Sequence, residues 1–114
     1  MISTTLYGFK HDDLERARAA VERVLGISLE LHDSLYLGEY YLGRLPGQQS
    51  VRIRHNIDPI HDPQSDPPEE HFAEPKFQDS PLLLEVSGSD VDAIRKQLEQ
   101  HLVGASFLRH ESSK

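Results

Sequence analysis

Three histidines, His55, His61 and His71, stand close to Asp58, Asp62, Asp66 and the pair Glu69-Glu70. Imidazoles among carboxylates are the donor set of a zinc or other divalent-metal site. The spacing here matches no ligand motif, and a proline-rich stretch holds ligands poorly, so no metal ligand is assigned. The same acids, read as a general acid and base, would need a partly desolvated pocket to shift their pKa values. An acidic, proline-rich stretch supplies solvent instead. Ser34, Ser50, Ser80 and Ser87 lie in no G-x-S-x-G elbow and beside no partner histidine. Gly38 and Gly43 flank Glu39-Tyr40-Tyr41 without forming a phosphate-binding loop, and read as relief of crowding or bulges in a strand. With no cysteine there is no thiolate and no disulfide. The residues assign no catalytic group, no cofactor and no metal, and the chain reads as something other than an enzyme.

What remains is a surface. The chain has 19 acids and 12 bases, a formal charge of −7. Residues 58–79 hold seven of those acids (Asp58, Asp62, Asp66, Glu69, Glu70, Glu74 and Asp79) against Lys76 alone, so six of the seven net charges sit there. Pro59, Pro63, Pro67, Pro68, Pro75 and Pro81 share the stretch or its edge, which forbids a regular helix or a central strand. The expected organisation is a single α+β domain over 1–114 with an acidic, proline-rich loop at 58–81. Such a loop on an otherwise balanced domain is suited to meeting a basic partner. Ile60, Phe72 and Phe77 are spread through it, and a plain spacer has little use for aromatics. They read as anchors, onto the domain or onto a partner. The predicted contact surface is Asp58, Asp62, Asp66, Glu69, Glu70, Phe72, Glu74 and Phe77, joined by Tyr36, Glu39 and Tyr40, because tyrosine brings stiff area and a polar tip to interfaces. Acidic balance argues against nucleic acid as a partner, since that affinity comes from clustered Lys and Arg. No run approaches the roughly 18 apolar residues that span a bilayer. The start, Met1-Ile2-Ser3-Thr4-Thr5, lacks the basic and apolar segments of a signal peptide, so the expected location is the cytoplasm.

The elements that would carry this surface follow from periodicity. Ile2 to Phe9 suits a strand. Asp12, with Glu15 three residues on, predicts a capped helix whose stripe is Leu14, Ala17, Val21, Val24 and Leu25, ended by Gly26. Alternation at Leu29 and Leu31 predicts a strand, Asp33-Ser34 a turn or bulge, and Tyr36 to Leu42 a second strand. Leu45-Pro46-Gly47-Gln48 is a turn signal. Val51, Ile53, His55 and Ile57 alternate with Arg52, Arg54 and Asn56, the pattern of a strand with one buried and one wet face. Leu82 to Val86 reads as a central strand. Gly88-Ser89-Asp90 should cap a second helix with the stripe Val91, Ile94, Leu98 and Leu102, ended by Gly104, and Ala105 to His110 should be the last strand. The expected architecture is a mostly antiparallel sheet of five to six strands with both helices on one face, a ferredoxin-like connectivity with an added hairpin. Arg52, Arg54 and some of Tyr36, Tyr40 and Tyr41 would line the other face.

From Leu6 to Arg44 the chain has a strand, a helix ending in Leu25-Gly26-Ile27, and then His32-Asp33-Ser34-x-Tyr36-x-Gly38-Glu39-Tyr40-Tyr41. This third of the chain resembles small immunity proteins of bacterial contact-dependent growth inhibition systems. The resemblance implies a cytoplasmic protein that binds and blocks a cognate toxin domain, with no catalytic or binding residue carried over. Many such toxins are nucleases with basic clefts, which an acidic segment would complement. Two other readings stand beside it. One is a small ligand- or metal-binding module of glyoxalase-like half-domain type, although Ile2 to Gly8 lacks the His or Glu ligand usual in the first strand of such modules. The other is a homodimeric scaffold, and the residues leave the oligomeric state open.

Overall fold

The computed structural model of the chain describes residues 2–34, 38–56 and 74–113. In chain order the elements are β1 (Ile2–Phe9), α1 (Leu14–Leu25), β2 (Glu30–Ser34), β3 (Gly38–Leu45), β4 (Gln49–His55), a 3-10 turn (Pro75–Phe77), β5 (Leu82–Gly88), α2 (Asp92–His101) and β6 (Ala105–Ser113). The strands form one sheet in the order β2-β3-β4-β5-β1-β6, and every neighbouring pair is antiparallel. Without β2 and β3 the order β4-β5-β1-β6, crossed by two helices, is the βαββαβ ferredoxin-like pattern. The hairpin β2–β3 extends it at one edge, as expected.

The core lies between the sheet and the helices. Tyr7 and Phe9 of β1, Val51 and Ile53 of β4, and Leu82, Leu84 and Val86 of β5 alternate inward to meet Ala17 and Val21 of α1 and Ile94 and Leu98 of α2. The helical stripes are present, and so is the alternation of β4 at Val51 and Ile53; Asn56, expected on the wet face, is buried instead, Leu31 is exposed, and Ile57 lies outside the described residues. Gly26 caps α1 at φ +66, a left-handed conformation that favours glycine, and its N–H donates to the Glu22 carbonyl at 2.8 Å.

Several boundaries differ from expectation for local reasons. The cap of α1 is Asp13 rather than Asp12, accepting from the Arg16 N–H at 3.1 Å. Glu15 turns away from a capping box to accept a hydrogen bond from the Tyr41 hydroxyl and to pair with Arg18 at 2.9 Å. The Tyr41 hydrogen bond, followed by Arg18, holds the Glu15 carboxyl below its ordinary range. Asp33 and Ser34 are not a turn but the end of β2, because they continue the ladder opposite Glu39 and Gly38. β3 is described over Gly38–Leu45, past the expected end at Leu42; Tyr36, where it was expected to begin, lies outside the described residues, and β6 runs on to Ser113. α2 begins after Val91, which has no side-chain cap bond of its own; Asp90 Oδ1, in the stretch expected to cap the helix, accepts from the Asp92 N–H at 3.4 Å. Gln49 of β4 braces that stretch: its Oε1 accepts from the Ser89 and Asp90 N–H groups at 3.2 and 3.3 Å, while its Nε2 donates to the Pro46 carbonyl at 3.1 Å. One side chain thus ties the β3–β4 turn to the start of α2.

Tyr7 is buried at 3% exposure, and its hydroxyl donates to Glu99 of α2 at 2.9 Å. Burial first, and then this bond, push its pKa up to about 12. A phenol raised above its ordinary value of 10.0 favours folding below that pH. The contribution is lost as pH rises through about 12. Ultraviolet titration of the folded chain should therefore show a tyrosine ionising near pH 12, and Tyr7→Phe should remove that step and flatten the alkaline loss of stability. An unaltered titration in Tyr7→Phe would assign the step elsewhere.

Candidate partner-binding surface

The sheet face away from the helices carries the polar alternation, and antiparallel register sorts it into rows across the strands. One row runs Arg44, Ser50, Ser87, Thr4, Glu111. The next runs Glu30, Leu42, Arg52, Glu85, Leu6, Arg109, and a third runs His32, Tyr40, Arg54, Leu83, Gly8. Charges alternate along the middle row. Arg52 donates to Glu85 in a close ion pair, and Arg54 approaches the other Glu85 oxygen at 3.9 Å. The Arg52 guanidinium lies over the Tyr40 ring at 6.0 Å, and Tyr40 stacks on His32 at 5.3 Å with 15° between planes. Arg52 and Arg54 face outward as predicted. Of the tyrosines, Tyr40 joins them, whereas Tyr41 is buried on the helix side.

A strap covers the β1 end of this face. Residues 74–80 leave the acidic stretch, turn through the 3-10 helix, which begins with Pro75, and cross above Gly8 to reach β5. The first helical turn suits proline because its missing N–H has no helical acceptor there. Asn56, 2% exposed, holds the strap. Its Nδ2 donates to the carbonyls of Phe77 at 2.8 Å and Glu74 at 3.3 Å, and its Oδ1 accepts from the Glu74 N–H at 2.7 Å. Its own N–H donates to the Pro81 carbonyl at 2.8 Å. Arg109 reaches over from β6 and grips both Glu74 oxygens, at 2.7 and 3.2 Å, while its guanidinium sits 5.8 Å from the centre of the Phe77 ring. The Glu74 bond, more than the other nearby acids, raises the Arg109 pKa above its ordinary value. Leu6 and Leu83, which would otherwise face solvent on this side, are buried at 4% and 1%.

The predicted contact residues therefore divide. Asp58, Asp62, Asp66, Glu69, Glu70, Phe72 and Tyr36 lie outside the described residues, as do His61 and His71. Glu74 and Phe77 are brought together, and their nearest partner is the domain itself: Glu74 is neutralised by Arg109, and Phe77 is the anchor its composition implied. Tyr40 lies on the outer face, whereas Glu39 points to the helix side of the hairpin, exposed and directly opposite Asp33. Sequence reasoning missed Asn56, Gly8, Arg109 and Glu85. For Asn56 a signal existed, since it is a polar residue closing a strand just before the proline-rich stretch. The other three depend on register between distant strands. Shallow clefts mark the same face, one of about 460 Å³ lined by Ser28, Glu30, His32, Leu42, Gly43 and Arg44, and one of about 110 Å³ lined by Leu42, Ser50, Arg52, Glu85 and Ser87. Among the described residues, no three His, Asp or Glu side chains converge as a metal-binding group, and no helix is long and apolar enough to cross a membrane.

Neither a protein-family model nor a curated protein matches the chain.

Proposed function

We propose that this chain is a cytoplasmic immunity protein, which binds and neutralises a basic toxin domain, of nuclease type, by stoichiometric charge-complementary contact. The observation that carries the reading is the clamp at the base of the acidic stretch. Residues 57–73 hold five acids and no Lys or Arg, and the chain enters and leaves them at two residues hydrogen-bonded to each other, Asn56 and Glu74. Glu74, the next acid after that stretch, is already satisfied by Arg109, so in this reading the charge that meets the partner is that of the five acids within the stretch. Fixing the base lowers the ordering cost of binding, and concentrated charge steers a basic partner and raises its association rate. The outer-face stack of His32, Tyr40 and Arg52 supplies a tyrosine and an arginine, residue types favoured at hot spots.

The test begins with the tagged chain, recovered from its native cells at low and then high salt, with bound proteins identified by mass spectrometry. A stoichiometric basic protein that leaves as salt rises is the expected result. With that partner in hand, the variant Asp62→Asn/Asp66→Asn/Glu69→Gln/Glu70→Gln should slow association by about tenfold or more at low salt and flatten its salt dependence. Unchanged affinity and unchanged salt dependence would sink the proposal. A metal or small molecule in the pure sample, with no protein partner, would favour the glyoxalase-like ligand-binding module instead.

A further inference from the structure

We infer that the outer edge of β2 is a second contact surface, which takes a basic, extended segment of a protein partner as a seventh strand. The inference rests on the partner being basic, as proposed above, and adds where and how it docks. The hairpin β2–β3 lies outside the βαββαβ unit, and the helices pack over β1, β4 and β5, so most of β2 contributes little to the core. β2 is the outermost strand, so one side of its main chain has no strand neighbour among the described residues. Glu30, Leu31 and Asp33 are exposed, Leu31 at 53%. Asp33 stands directly opposite Glu39, also exposed, and neither has an ion-pair partner among the described residues. Like charges directly across an antiparallel pair destabilise it.

A cation placed between Asp33 and Glu39 would reverse that penalty. Leu31, two residues along on the same face, offers an apolar surface for the stem of a lysine or arginine. On the other face Glu30, with its side chain 82% exposed, offers a second acid. A second copy of this chain fits the edge poorly, because its own β2 brings two further acids, Glu30 and Asp33, and no lysine or arginine to meet the first pair. A strand bearing lysine or arginine fits it well. In strand addition the main chain supplies affinity and alternate side chains supply specificity.

The test uses the full chain and a capped peptide of alternating lysine and valine, with a glutamate-for-lysine peptide as control. Amide hydrogen exchange of Glu30–Ser34 should slow by about tenfold or more with the lysine peptide and stay unchanged with the control. Asp33→Lys/Glu39→Lys should weaken peptide binding by about tenfold or more, and the milder Asp33→Asn/Glu39→Gln should weaken it less, in the same direction. Circular dichroism should match the parent for both, since these side chains are exposed. Binding that survives Asp33→Lys/Glu39→Lys but is lost when Asp62, Asp66, Glu69 and Glu70 are neutralised would overturn the β2 inference and leave the basic-partner reading standing. Protection of β2 without peptide, rising with protein concentration, would overturn it in favour of self-association.

Discussion

Asn56→Ala should lower the stability of the chain by about 3 kcal/mol, because one buried amide satisfies three main-chain groups of the strap. Alanine keeps the Asn56 N–H bond to Pro81 but leaves the Glu74 N–H and the Glu74 and Phe77 carbonyls without their partner. Each such buried group costs about 1–3 kcal/mol, less where water reaches it. For a domain near this size the midpoint should fall by roughly 10–20 °C. Asn56→Asp is as informative, since it keeps the acceptor and replaces a donor with a charge facing two carbonyls. Exchange of the Glu74 and Ser80 amides separates the cases: if the strap lifts alone, those amides quicken while β1 and β5 stay protected. A loss below about 0.5 kcal/mol with unchanged exchange would mean that the clamp holds nothing.

Gly8→Ala should cost about 2–3 kcal/mol, an unusual penalty for adding a single methyl to a strand. A Cβ on Gly8 would lie 2.2 Å from Ser80 Oγ and 2.6 Å from Ser80 Cβ, with Leu108 Cδ1 at 2.9 Å. Ser80 is itself buried and held by its N–H bond to the Phe77 carbonyl at 2.9 Å, so the strap must rise as a body to make room. Ser80→Gly should therefore rescue Gly8→Ala, and a double-mutant cycle should return a coupling of about 1 kcal/mol or more. Purely additive effects would place the cost of Gly8→Ala in the strand rather than in its contact with the strap.

Both predictions concern residues whose importance is set far away in the chain, and this marks the limit of what the sequence discloses. Ala17 and Val21, or Val51 and Ile53, declare their burial because neighbours at period 3.6 or 2 settle which way a side chain points. Gly26 declares a helix end for the same local reason. Asp33-Ser34 misled because turn-forming residues join a strand when a partner offers a ladder, here Gly38 and Glu39. Glu74 looked like one more free acid of a charged run, since its neutraliser, Arg109, arrives 35 residues later through the pairing of β6 with β1. Gly8 looked like an ordinary strand residue, since Ser80 is its neighbour only in space. Of the candidate surface, the charge and the anchoring role of Phe77 were legible. That Glu74, alone of the predicted contact acids of the stretch, is shown held by the domain itself, through Arg109, was not.

The Asn56–Glu74 junction has a bearing on how such a protein can change over generations. Once two points of a chain are pinned side by side, lengthening what runs between them is penalised only logarithmically, by about 0.6 kcal/mol for each doubling. Asn56 and Glu74 fix both ends of that interval to each other and to the sheet, so added length between them carries only that small entropic cost. In the role proposed above, one architecture could be kept while only the text between those two residues is rewritten.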